Sequence, residues 1–363
     1  MQASTTTSRT TVSFARAPLV GPRTSSVKSC GRQFSKVARV FTTPRKNIGC
    51  GAAAPRTPTV CSAATQALVT ELQQHFGIDD HVKIVEGKGG LPKVVLKHSC
   101  GSSAEIYLWG ACITSWKQAN GSEVLYVRPD AKFDKTKAIS GGVPICFPQF
   151  GPGELPQHGF ARDSDWVIAS TSADLQADER DPEVEFILSD TPATRQIYPY
   201  SFKVAYSVSL HGEQLKTEYR VINTGEIDMS FTGALHTYYE VTHVEKAKVN
   251  GLKGLEVLDK VPDPDNPEKS VMEDENLEFH GPVDSVFLDA PGFVQLDVGG
   301  NGAGIAMTFD GWKDVVCWTP WKTMPKCYEE FVCVENAAFN PIAIPKGESW
   351  LGTTTFQVVD LDV

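Results

Sequence analysis

From residue 81 onward the apolar positions recur every second residue, the spacing of half-buried strands. Short β-branched runs at 82–85 and 93–97 flank Gly87, Gly89, Gly90 and Pro92, which reads as a hairpin. Residues 104–109 alternate, and 112–116 follow after Gly110. Asn120-Gly121 then signals a type I′ turn before a returning strand at 123–127. Further alternating runs fall at 166–170, 184–188, 203–210, 215–222 and 228–235. Later ones lie near 247–249, 293–297, 304–309, 314–318, 331–335 and 350–358. Only 64–76 has helical character. Many short strands at regular spacing predict an all-β sandwich or barrel. It is a large one: a single domain over 64–363 with no internal repeat, in which the Pro/Asp stretch Pro262–Pro267 is an interior loop.

Charge divides the chain. Residues 1–70 hold ten Lys or Arg, twenty Ser or Thr and no carboxylate; Glu71 is the first. A basic, hydroxyl-rich, acid-free stretch is the composition of an organelle transit peptide. The Ser/Thr-rich start is a poor amphipathic helix and favours a plastid, so residues 1–63 are expected to be a chloroplast transit peptide, cleaved near Val60–Ala64. The alternative is a disordered basic tail for nucleic acid. Without the ten basic residues, 24 cations face 44 carboxylates, a formal charge of −20. Such a body repels nucleic acid and anionic membranes, and no run approaches the ~20 apolar residues of a membrane span. Neither a nucleic-acid nor a membrane partner is expected. The six cysteines of the body, Cys100, Cys112, Cys146, Cys317, Cys327 and Cys333, form no CxxC pair, so they read as small buried hydrophobes rather than metal or redox groups.

Three segments carry candidate chemistry. Lys137–Arg162 is Gly/Pro-rich, which fixes a backbone and lets it approach a ligand, and it brings Gln157, His158 and Arg162 together. A long structural crossover is the alternative. His236, in ALHTYY (234–239), follows a half-buried strand and is either a catalyst or a satisfied core histidine. Glu335 ends the apolar run 331–334, where burial without a cation raises its pKa and suits a general base; a strand-end ion pair is the alternative.

The motifs SGGVPICFPQFG (140–151), QHGFAR (157–162), ALHTYY (234–239) and VCVENA (333–338) resemble, in order, the hexose-6-phosphate mutarotase branch of the aldose 1-epimerase family. EVLYVRPDA (123–131) and CYEEFVCVEN (327–336) are similar to plant and algal members in particular. The similarity spans about residues 81–360. The resemblance implies a large antiparallel β-supersandwich of the galactose mutarotase-like type. It implies interconversion of the anomers of hexose 6-phosphates in carbohydrate metabolism, with His236 as catalytic acid and Glu335 as base. Substrate-binding positions fall on Gln157, Arg162 and Asp284, and His158 matches a second active-site histidine. Where the branch usually has an arginine before two glycines for the 6-phosphate, this chain has Ser140. Arg128, Lys132, Lys135 and Lys137 lie just upstream.

Acid/base ring opening of this kind requires neither a cofactor nor a metal, and no Gly-rich phosphate loop precedes a helix. A monomer acting on glucose 6-phosphate is the expected form. A general aldose 1-epimerase is one alternative. Another is a non-catalytic sugar-binding module using Trp109, Trp116, Trp312, Trp318 and Trp321 as stacking faces, and a third is an interaction or regulatory protein of the organelle that has lost phosphate binding through Ser140.

Overall fold

The computed structural model describes residues 58–173, 181–300 and 302–361, all within the compact unit Thr57–Val363. Most of the expected transit segment, residues 1–57, lies outside the described residues. Helix α1 (Pro58–Phe76) starts six residues before the helical run at 64–76; proline suits a first helical turn because no N–H is needed there.

Strands β1 (Val82–Glu86), β2 (Pro92–Lys97), β3 (Ser103–Tyr107) and β4 (Cys112–Lys117) form a four-stranded antiparallel sheet in chain order. The Asn120-Gly121 turn differs from expectation. Gly121 alone takes a positive φ (85°), and its N–H closes onto the Gln118 carbonyl, which makes a type I turn followed by a left-handed glycine. The returning strand at 123–127 is reduced to isolated bridges. The cause is local: the Glu123 carboxylate accepts from the N–H groups of Trp116 and Leu125, donors a ladder would otherwise use, and shares that of Val124 with the Trp116 carbonyl.

The chain continues through β5 (Ile145–Cys146), β6 (Val167–Ala173), β7 (Pro182–Ser189), β8 (Phe202–His211), β9 (Gln214–Asn223), β10 (Met229–Leu235) and β11 (Tyr238–Glu240). It then forms β12 (Lys248–Asn250), β13 (Glu256–Asp259), β14 (Glu268–Val271), β15 (Asn276–Glu278), β16 (Val283–Phe287) and β17 (Phe293–Asp297). The last four are β18 (Ala303–Asp310), β19 (Asp314–Thr319), β20 (Phe331–Ile344) and β21 (Ser349–Asp360). A nine-stranded sheet runs β15-β12-β17-β18-β21-β9-β8-β7-β6. An eight-stranded sheet runs β14-β13-β16-β19-β20-β10-β5, with β11 also on β20. Every ladder between these strands is antiparallel, as a supersandwich requires.

The two large sheets meet through apolar positions of alternating strands. β8 turns Val204, Tyr206, Val208 and Leu210 inward, and β9 answers with Leu215, Tyr219 and Val221. Each such side chain contributes about 1.5–3 kcal/mol on burial. Polar contacts among the described residues cross the interface too: Thr354 Oγ1 donates to Asn336 Oδ1 at 3.0 Å, Asn223 Nδ2 donates to the Ile344 carbonyl at 3.0 Å, and the Tyr239 hydroxyl reaches Met307 Sδ at 3.1 Å. The opposite face of the eight-stranded sheet is left for the cleft.

Candidate active site

Ladder register decides which side chains line that cleft. Glu335 pairs with Val316, Val316 with Val286, and Val286 with Leu258. On the other side Leu235 pairs with Asn336, so His236 stands opposite Glu335. The adjacent rung holds Asp284, Trp318, Cys333 and Tyr238. Side chains two apart on a strand share a face, which places both rungs on one surface.

His236 Nδ1 lies 3.1 Å from Glu335 Oε1. The contact lacks the alignment of a hydrogen bond: Nδ1 and the second carboxylate oxygen have no partner among the described residues. Both side chains are enclosed, His236 at 8 % and Glu335 at 1 % exposure. The imidazole stacks on Tyr238 at 4.9 Å between centroids and meets the edges of Trp318 at 5.9 Å and His158 at 5.4 Å.

The second wall is the Gly/Pro-rich segment. Gln149 braces it, donating to the carbonyls of Gly151 and Leu155 and accepting from the Leu155 N–H. His158 has a left-handed backbone (φ 66°), uncommon for a residue with a side chain and frequent where function needs it. Its Nδ1 accepts from the Gly151 N–H at 3.1 Å, so the proton of the neutral ring is assigned to Nε2. The Arg162 guanidinium donates to the Gln157 carbonyl at 2.7 Å, and its Nε is buried without a partner.

Burial dominates the electrostatics. It holds the Glu335 carboxyl well above the usual carboxylate range; Asp284 adds to the effect, and Lys260 and Arg162 oppose it. It pushes His236 well below the usual imidazole range, with His158 and Arg162 acting in the same direction. His158 is pushed down to about 3, first by burial and then by Arg162 and Lys260. The resting pair therefore holds its single proton on Glu335, whereas a base at 335 and an acid at 236 need it on His236. The two arrangements are tautomers of one coupled pair.

The residues singled out in the sequence differ in how they relate to this pair: His158 meets the His236 ring, and Arg162 and Asp284 bear on Glu335. Asp284 is half-buried and faces Lys260 Nζ at 3.9 Å. Gln157 is exposed. Ser140 is half-buried, and its carbonyl accepts from the Arg128 N–H at 3.1 Å. Of the upstream cations, Arg128 is bound to Asp130 through two hydrogen bonds, and Lys135 is paired with Asp165. Trp318 alone of the five tryptophans touches His236; Trp109, Trp116 and Trp312 are buried. Five of the six body cysteines are buried and Cys100 is exposed.

Lys260 was not among the sequence candidates, because it follows β13, a strand too short to show a period. The signal was an apolar–charged run ending in Asp-Lys before the proline loop. Among the described residues, His236, Cys333 and Glu335 have donor atoms within 4.8 Å of one another. That spacing follows from β20 projecting residues 333 and 335 onto one face. Burial holds the pKa of both the thiol and the carboxyl up, and Lys260 and Arg162 oppose that on Glu335.

The family model for aldose 1-epimerase matches residues 92–357. A protein of Cenchrus ciliaris named "Putative glucose-6-phosphate 1-epimerase" is 35% identical over 291 residues, covering 76% of this chain and 88% of that protein. Among solved structures, a mutarotase-type protein of Salmonella typhimurium superposes with a TM-score of 0.66 at 26% identity, covering 77% of this chain and 97% of that one. A galactose mutarotase-like protein of Clostridium acetobutylicum reaches a TM-score of 0.63 at 18% identity, over 77% of this chain and 98% of its own, a likeness of fold.

Proposed function

The chain belongs to the aldose 1-epimerase family, and on that premise we propose that it is a glucose-6-phosphate 1-epimerase with Glu335 and His236 as its proton-exchanging pair. It is an isomerase. The observation that carries the site assignment is the enclosed carboxyl–imidazole contact at 3.1 Å. In the working tautomer Glu335 takes the proton of the C1 hydroxyl while His236 protonates the ring oxygen. The C1–O5 bond breaks and C1 becomes an aldehyde. Rotation about C1–C2 presents the other carbonyl face. O5 then attacks C1 and returns its proton to His236, as O1 takes one back from Glu335. Nothing is consumed. Each positioned proton-transfer group contributes about 10²–10⁴-fold.

The neighbours support an orientation. O5 lies beside C5, which bears C6 and the phosphate, so the phosphate extends on the His236 side. Arg162 bears on His236 as well as on Glu335, and Arg128 acts on Tyr238, the ring stacked on His236. Asp284, on the side of Glu335 away from His236, meets the hydroxyls beyond C1. The acid-free, hydroxyl-rich first 70 residues support delivery to the chloroplast. Exchange NMR with glucose 6-phosphate and glucose tests the reading: catalysed exchange of the phosphorylated sugar, faster than of glucose, is expected. Equal rates would leave a general aldose 1-epimerase; no catalysis would leave a binding protein.

A further inference from the structure

Lysine is rarely buried without a close partner, yet Lys260 has only 8 % of its surface exposed. Its Nζ stands 3.9 Å from Asp284 Oδ1, beyond hydrogen-bond range, and 6.0 Å from the centre of the Phe150 ring. The Lys260 N–H donates to the Asp284 carbonyl at 2.8 Å, which extends the rung Asp284–Trp318–Cys333 by one strand. The ammonium is thus anchored at the edge of the cleft with its donors unused among the described residues.

A second cation, Arg162, acts on both members of the catalytic pair. It favours the Glu335 carboxylate and disfavours the His236 imidazolium, so it changes little about which of them holds their proton. Lys260 acts on Glu335 and on His158, whereas the charges bearing on His236 are those of His158 and Arg162. The other groups facing Glu335 are neutral, apart from one anion. Burial keeps Cys333 on its own strand, Cys317 on β19, Cys146 on β5 and Tyr238 on β11 protonated. Asp284 on β16 is the neighbouring anion, and it opposes Lys260.

We propose that Lys260 is a positioning residue for the proton exchange: its ammonium, tethered beside Asp284 on the side of Glu335 away from His236, eases passage of the shared proton from Glu335 to His236. The inference rests on the epimerase reading above and adds to it what makes the resting pair competent. It also explains why a lysine is kept within a wall of the cleft instead of on the surface.

The test is the pH profile of anomer exchange. Lys260→Met should lower kcat on the plateau by about tenfold, the effect of removing one charge near a buried titrating group. Both limbs of the profile should move to higher pH, because losing a neighbouring cation makes every protonation of the pair easier. Lys260→Gln should match it, and Lys260→Arg should restore both rate and limbs. Carbon-13 carboxyl spectra, with Glu335→Gln identifying the signal, should show Glu335 titrating at higher pH in Lys260→Met. A lower rate with unmoved limbs, or an unmoved carboxyl titration, overturns the proposal. If the unmodified protein catalyses no exchange, the epimerase reading fails, and the carboxyl titration still decides the role of Lys260.

Discussion

Gly151 and His158 hold each other from both directions: the Gly151 N–H donates to the imidazole Nδ1 at 3.1 Å, and the His158 N–H donates to the Gly151 carbonyl at 2.9 Å. The first bond uses the ring's acceptor, so Nε2–H is the donor left for a ligand. A protonated ring would carry hydrogen on Nδ1 and lose the Gly151 bond.

That relationship sets a pH dependence. The folded His158 takes a proton only near pH 3, while the unfolded chain takes one near the ordinary histidine value of 6.5. Below 6.5 the unfolded state therefore binds more protons, and stability present above 6.5 is lost as pH falls toward 3. His158→Gln removes this contribution, at most a few kcal/mol. Thermal melts from pH 7 to 4 should show a shallower fall in Tm for the variant. His236, shifted in the same direction, leaves a residual slope.

Removing either end of the proton exchange should stop it. Glu335→Gln keeps size and hydrogen bonding but no base, and His236→Asn keeps a polar group but no acid. Each should slow exchange by about two orders of magnitude or more while sugar binding persists. Near-normal rates in either variant would refute the assigned roles.

A 6-phosphate held as the resemblance implies would meet one cation fewer here. Ser140 offers no charge, and Arg128, across the backbone from it, is engaged by Asp130. Glucose 6-phosphate should still be preferred, through Arg162, by a modest margin. Ser140→Arg should raise kcat/KM for the phosphorylated sugar by about tenfold, the scale of one charge-assisted hydrogen bond, and leave glucose unchanged. Arg162→Ala should erase the preference. Rates for both sugars on the three proteins decide it.

The glycine pair after Ser140 has a steric reason of its own. Gly142 has φ of 68°, and a Cβ there would lie 2.0 Å from the Ile113 carbonyl oxygen, against backbone that cannot step aside. Gly142→Ala should cost several kcal/mol, seen as a large drop in the denaturation midpoint. An unchanged midpoint would mean that this loop is far more pliable than its contacts indicate.

Delivery to a plastid predicts a shorter protein in the cell. Mass spectrometry of the protein isolated from its source should find an N-terminus near residues 60–64. An intact basic segment through residue 70 would favour a retained tail.

Strands such as β8 and β9 were legible because burial alternates along most of their ten residues and one face is fully buried. The strands β13, β14 and β16 were not. They hold four or five residues each, and β14 is exposed at every position, so no periodic burial marks it. The consequence reached the site. Asp284, on β16, entered only through a family resemblance, and Lys260 was missed altogether. His236 and Glu335 stood out as polar residues in apolar runs, but their opposition across one rung is a product of register, which no local pattern encodes. The tautomer of the resting pair depends on enclosure by four strands and a loop and was equally invisible.

The bond from Thr354 to Asn336 gives the two halves of the site different mechanical footing. Asn336 sits next to Glu335 and fastens the middle of β20 to the far sheet, so the carboxyl can shift only when the two sheets part. His158 and Arg162 ride on a segment whose side-chain bonds between 149 and 162 are largely internal, with Phe150 tied to Thr232 of β10. Local opening reaches such a segment at lower free energy than it reaches a central strand. On warming, the protein should loosen its grip on the sugar before it forgets how to move the proton: KM climbs first, and kcat collapses only when the sandwich itself melts.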